Sequence, residues 1–127
     1  MKLVLFDLDG TLLDTRALYA ESYRRGFAEV LDAPPTWEEM LQRRPASERS
    51  FLVDWYGERD GGRIHDAVVA AYDALAEELL GGFFDGVPEM LEALHGAGVR
   101  TGIVTGKSRR AYEATVRHAR LEGFEVV

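Results

Sequence analysis

The sequence predicts an α/β fold: a parallel, Rossmann-like sheet, incomplete within these residues, with an α-helical block inserted after its first strand. Three observations carry this reading. Two short apolar runs, Leu3 to Phe6 and Val99 to Val104, each end at a turn containing glycine, as strands buried in a parallel sheet do. Helical periodicity precedes and follows the second run, which gives the strand–helix alternation of a parallel sheet. The stretch from Thr15 to Gly82 has helical spacing only and is too long for a simple crossover. Residues 1–14 and 83–127 are therefore expected to form the α/β core and residues 15–82 a helical insertion. Its hinges fall near Leu13–Arg16 and Gly81–Gly86.

Leu3 to Phe6 runs straight into Asp7-Leu8-Asp9-Gly10-Thr11, and its continuous apolarity predicts a strand buried on both faces. Tyr19, Tyr23, Phe27 and Leu31 recur every four residues, the mark of one helix face, and their default role, shared with Tyr72, is core packing. Pro34-Pro35 breaks that helix. Thr36 then caps a short helix carrying Trp37, Met40 and Leu41, with Glu39 as its capping-box partner. Ser50 to Tyr56 is predicted helical and Gly57 to Gly62 a polar turn. Ile64, Val68, Tyr72, Leu75 and Leu79 mark an amphipathic helix that ends at Gly81-Gly82. Pro88 sits in the first turn of the next helix, with Val87, Leu91 and Leu94 on one side. After the second strand, Tyr112, Val116 and Ala119 define a further helix face. Phe124 to Val127 begins a third strand.

Composition narrows the function. Of 127 residues, 46% are hydrophobic, enough for a core. Fifteen Lys and Arg against twenty-two Asp and Glu leave a net charge of −7, which argues against nonspecific nucleic-acid binding. No apolar run is long enough to cross a membrane, and no basic leader precedes an apolar stretch. With no cysteine there is no disulfide, thiol nucleophile or thiolate metal site; a cytoplasmic setting fits. Lys2 and Lys107 are the only lysines.

Asp7 and Asp9 lie two apart just past a strand. Extended backbone points both side chains the same way, at the strand end where open α/β sheets bind ligands. Two close carboxylates repel unless a cation compensates, and such oxygen donors suit Mg²⁺. One carboxylate can be a nucleophile that forms an aspartyl-phosphate. The other can protonate the leaving oxygen and later deprotonate water. The rival reading is a plain turn, since Asp-Gly after a strand is a turn signal. Thr105-Gly106-Lys107 ends the second strand and opens a helix. A hydroxyl, a backbone N–H, a helix N-terminus and a lysine there can hold a phosphate; the rival reading makes Thr105 or Ser108 an N-cap and Lys107 a solvated side chain. His65, His95 and His118 share no metal-ligand spacing and read as surface or partly packed residues. Arg43, Arg44 and Arg49 read as a solvated face, or as a patch that meets an anionic substrate.

Val4-Leu5-Phe6-Asp7-Leu8-Asp9-Gly10-Thr11-Leu12-Leu13-Asp14-Thr15 closely resembles the first motif of the haloacid dehalogenase superfamily of phosphohydrolases. Gly102 to Ser108 resembles its second motif, and Phe83 to Leu91 resembles the return from its helical cap. Within the superfamily the sequence resembles the phosphoglycolate-phosphatase-like enzymes with a helical cap. The resemblance implies that Asp7 is the nucleophile and a Mg²⁺ ligand. It implies that Asp9 is the general acid/base and binds Mg²⁺ through its carbonyl. Thr105 then holds the transferring phosphoryl group, with Gly106 and Lys107 beside it, and the cap closes over a small phosphorylated substrate. Dehalogenating members usually lack the second acid, so Asp9 favours phosphoryl transfer. Phosphonate-cleaving members need a cap lysine, and Thr15–Phe84 contains none. A sugar-phosphate mutase and a non-catalytic binding or assembly module stand as alternatives. The superfamily's third and fourth motifs, a lysine and a later acidic metal site, have no counterpart here. The chain is thus expected to be the N-terminal part of a longer phosphatase, with little activity by itself. The first strand is expected to expose an open edge that invites dimerisation or pairing with another segment.

Overall fold

The computed structural model describes residues 2–45 and 47–125. Its elements are β1 (Leu3–Phe6), α1 (Arg16–Val30), α2 (Trp37–Gln42), α3 (Glu48–Leu79), α4 (Val87–Gly96), β2 (Arg100–Ile103) and α5 (Arg109–His118). β1 and β2 pair in parallel, Leu3 opposite Arg100 and Phe6 opposite Ile103. Both strands therefore deliver their following loops to the same end of the sheet. Phe124 forms an isolated parallel bridge to Thr101 on the side of β2 away from β1, at the residue where the third strand was expected to start. The last two residues of that expected strand lie outside the described residues. Among the described residues β1 is an edge strand.

The first motif is anchored by its apolar members. Leu8, Leu12 and Leu13 are fully buried against Val87, Leu91 and Ile103. Burying one such leucine is worth roughly 1.5–3 kcal/mol, so these three fix the backbone at Asp9, which lies between them, and at Asp7, which immediately precedes Leu8. The chain leaves and re-enters this core along two bonded segments. Asp14 N–H donates to the Gly82 carbonyl at 2.8 Å, and Gly81 N–H donates to the Asp14 carbonyl at 2.9 Å.

Between them, α1 packs on α3 through Tyr23, Phe27, Phe51, Leu52, Ile64 and Val68, and Met40 of α2 closes the cluster. Thr36 and Glu39 form the expected capping box. A second seam joins this helical block to α5, where Tyr72 and Thr115 share a buried hydroxyl–hydroxyl bond of 2.9 Å.

Four local expectations are corrected. β1 is not buried on both faces: Leu3 and Leu5 are 45% and 52% exposed, because no described element covers that face. β2 is shorter than Val99–Val104. The polar turn expected over Gly57–Gly62 contracts to a kink at Gly57, whose φ of 86° and ψ of 167° only glycine adopts readily. Helix resumes at once, because Gly61 lets its backbone pass against that of Leu52; a Cβ there would lie 2.5 Å from the Leu52 carbonyl oxygen. On α5 the buried residues are Ala111, Ala114 and Thr115, while Val116 is exposed. That helix presents small residues to α3, which large side chains would push away.

Candidate active site

The loops after β1 and β2 meet at the carboxyl end of the sheet. Val104 N–H donates to the Phe6 carbonyl at 2.9 Å, which sets Asp7 beside the start of the Thr105 turn. Asp7 is exposed. Its Oδ1 accepts the Leu8 N–H at 2.8 Å, which fixes its orientation. Asp9 is partly buried and is held from two sides. Thr15 Oγ1, itself buried, donates to Asp9 Oδ1 at 2.9 Å. Lys107 Nζ lies 3.1 and 3.2 Å from the two Asp9 carboxylate oxygens. This ion pair joins the two motifs directly.

Lys107 is not a solvated side chain: none of it is exposed. Its Nζ also bonds the Tyr19 hydroxyl and lies 4.3 and 4.6 Å from the ring centres of Tyr19 and Tyr72, a cation–π setting. Burial pulls its pKa down, while the Asp9 and Glu48 carboxylates oppose that pull. The Lys107 N–H donates to Thr105 Oγ1 at 3.1 Å, closing the turn. Gly106 is exposed beside it. The N-cap of α5 is Ser108, whose Oγ accepts the Ala111 N–H at 3.2 Å, so Thr105 is free of that duty.

Three residues outside the sequence expectations complete the site. Glu48, buried at the start of α3, accepts the Ser108 N–H at 3.0 Å and the Tyr19 hydroxyl. Its own N–H donates to the Gly106 carbonyl at 3.4 Å. His65 is buried, not superficial, and its Nε2 lies 3.0 Å from Ser108 Oγ; desolvation lowers its pKa. The Tyr19 ring packs in its stripe as expected, stacked on Tyr23 with centroids 5.9 Å apart, while its hydroxyl turns into the site. Its phenol pKa is pushed well up by burial and by the Glu48 and Asp9 carboxylates. The arginines stay outside: Arg43 stacks 3.6 Å above the Trp55 ring and Arg49 pairs with Glu58 at the surface.

Magnesium takes hard oxygens, commonly one or two carboxylates completed by water and a substrate phosphate. Asp7 and Asp9 could supply two such oxygens, and among the described residues no group of three or more acids or histidines is placed to hold a metal ion. The donors fit a cation that keeps most of its water. Asp7 has the freer carboxylate, since both Asp9 oxygens already accept bonds.

Comparison with known proteins follows the same lines. The model of the haloacid dehalogenase-like hydrolase family matches residues 4–127. A phosphoglycolate phosphatase of Xylella fastidiosa is 36% identical over 82% of this chain and 46% of its own length. A pyrophosphatase PpaX of Anoxybacillus flavithermus is 29% identical over 95% of this chain and 55% of its own. The chain thus spans about half the length of the curated relatives it matches. The crystal structure of CbbY from Rhodobacter sphaeroides with phosphate superposes with a TM-score of 0.82 at 23% identity, over 99% of this chain and 62% of that one.

Proposed function

The chain belongs to the haloacid dehalogenase-like hydrolase family, and from that premise we propose that it carries the nucleophile and phosphate-loop half of a capped phosphatase for a small phosphorylated metabolite. The observation that supports this best is the Lys107–Asp9 ion pair at 3.1 Å, which draws the acidic motif and the Thr105 turn into one site. The names of the relatives, phosphoglycolate phosphatase and pyrophosphatase, favour a compact phosphate ester or anhydride, phosphoglycolate first.

In this reading an Asp7 carboxylate oxygen attacks phosphorus in line, and the bond from phosphorus to the leaving oxygen breaks. Thr105 and Gly106 position the phosphoryl oxygens. Asp9, oriented by Thr15 and Lys107, delivers a proton to the leaving oxygen. It later takes one from the water that hydrolyses the aspartyl-phosphate. Asp7 and Asp9 would hold Mg²⁺, which offsets phosphoryl charge when bound. The helical block acts as the cap that excludes water.

Hydrolysis of p-nitrophenyl phosphate and phosphoglycolate, with and without Mg²⁺, tests this. Slow Mg²⁺-dependent turnover that disappears in Asp7→Asn is expected, and turnover that survives Asp7→Asn refutes it.

A second reading rests on Leu3 and Leu5, half exposed on an edge strand. Such an edge pairs with another strand, which makes the chain an assembly module. Light scattering decides: a dimer that dissociates in Leu5→Lys supports it, and a monomeric wild type rejects it.

A further inference from the structure

The turn that carries Thr105, Gly106 and Lys107 is gripped from the helical block. Glu48 makes two bonds to it through different atoms: its carboxylate accepts the Ser108 N–H at 3.0 Å, and its backbone N–H reaches the Gly106 carbonyl at 3.4 Å. His65 adds a third, to Ser108 Oγ at 3.0 Å. The second carboxylate oxygen of Glu48 accepts from Tyr19, whose hydroxyl also meets Lys107. A buried carboxylate without such partners is strongly disfavoured, because its charge is taken out of water with nothing in exchange. Its retention here calls for a role, and all its side-chain bonds lead to the phosphate turn or to the lysine that holds Asp9.

We propose that Glu48 is a positioning residue: docked from the cap, it clamps the Thr105–Ser108 turn and so makes the phosphate-binding geometry depend on cap closure. This rests on the reading of that turn as a phosphate site. Glu48 has no call to touch the substrate; it works through the Ser108 amide, the Gly106 carbonyl and Tyr19. With the cap away, the turn loses these bonds and Lys107 loses its phenolic partner. Phosphate then meets a turn that must be ordered at its own cost. The Glu48 charge also opposes a bound anion, so clamp and repulsion pull in opposite directions and separate variants can divide them.

The test uses the full chain labelled with ¹⁵N and titrated with inorganic phosphate, while the amides of residues 105–108 are followed. Glu48→Ala removes both carboxylate bonds and the charge. Glu48→Gln removes the charge and keeps an acceptor for the Ser108 amide. Asp66→Ala breaks the surface pair between the cap and Arg110 of α5 and controls for general loosening. The clamp predicts that Glu48→Ala weakens phosphate binding about tenfold, the scale of one lost bond to a charged group, and shifts the Ser108 amide proton upfield. Glu48→Gln is expected to stay within about threefold of wild type, and Asp66→Ala to change neither readout. Phosphate binding by Glu48→Ala that equals or exceeds that of wild type overturns the clamp. If Glu48→Ala fails to fold, Glu48→Gln decides, since binding enhanced well beyond threefold shows repulsion to dominate. A wild type that binds no phosphate refutes the phosphate-site reading; the clamp then stands or falls on whether the Ser108 amide shifts.

Discussion

Neutralising Asp9 should destabilise this chain more than removing Lys107. The reason is an asymmetry in burial. The two charges lie 3.1 Å apart, with none of the Lys107 side chain exposed and 25% of Asp9 exposed. At an effective dielectric of about 20 their attraction is about 5 kcal/mol, much of it offset by desolvation of the ammonium. Asp9→Asn strands that ammonium in a dry pocket. Glu48 and Tyr19 still face it, so the loss falls at the low end of the range for a broken buried pair, about 3 kcal/mol. Lys107→Met instead leaves a carboxylate that water reaches and Thr15 still bonds. Its loss is the net pair energy plus the contact with the two tyrosine rings, about 1.5 kcal/mol in all, and the thioether fills the same space. The pair is therefore coupled: Lys107→Met added to Asp9→Asn should recover about 1–2 kcal/mol. Urea unfolding at neutral pH measures all four proteins, and about 3 kcal/mol corresponds to a midpoint shift of about 1–2 M. An Asp9→Asn protein as stable as wild type, or a double variant less stable than Asp9→Asn, refutes the reasoning.

Gly61→Ala should lower stability by about 2–3 kcal/mol in the same assay, because its Cβ would meet the Leu52 carbonyl oxygen at 2.5 Å and backbone must move; a loss below about 0.5 kcal/mol would contradict the close packing of the two arms of α3. Tyr72→Phe should cost about 1 kcal/mol, since it removes the 2.9 Å bond to Thr115, while Thr115 keeps its own bond to the Ala111 carbonyl. Burial lowers the His65 pKa from its ordinary 6.5, so the unfolded chain takes up a proton before the folded one. That contribution to stability is present above about pH 6.5 and is lost as pH falls through it toward the folded value. Thermal melts at about pH 7.5 and about pH 5.5 should show a smaller acid loss in His65→Gln than in wild type, and an identical loss would contradict this.

What the sequence discloses and what it conceals follow from the range of the interactions. The two strands, the helical runs between them and the capping box at Thr36 rest on local pattern, and the structure has each, with the strand lengths adjusted. The first motif carries its own geometry, since Leu8, Leu12 and Leu13 bury themselves beside Asp7 and Asp9. The partners that set the site's electrostatics come from afar. Tyr19 lies on a four-residue stripe that looks like core, and only the fold shows that its hydroxyl meets Lys107, 88 residues on. Glu48 lies two residues before the helix predicted from Ser50 and bears no local mark of a role; its contact with Ser108 spans 60 residues. His65 carried a faint signal, a polar residue between the apolar Ile64 and Val68 of an amphipathic helix. The exposure of Leu3 and Leu5 is also nonlocal, because a strand's apolar pattern says which faces want cover and not which receive it.

The central claim is that Asp7 is the residue that takes the phosphoryl group. Incubation of the chain with Mg²⁺ and acetyl phosphate, followed by borohydride trapping and peptide mass spectrometry, tests it most directly. Borohydride reduces an aspartyl-phosphate to homoserine with loss of phosphate, so homoserine is expected at position 7 of the wild-type chain and is missing from Asp7→Asn. A label on any other residue, an undiminished label in Asp7→Asn, or no label on the wild-type chain would contradict it.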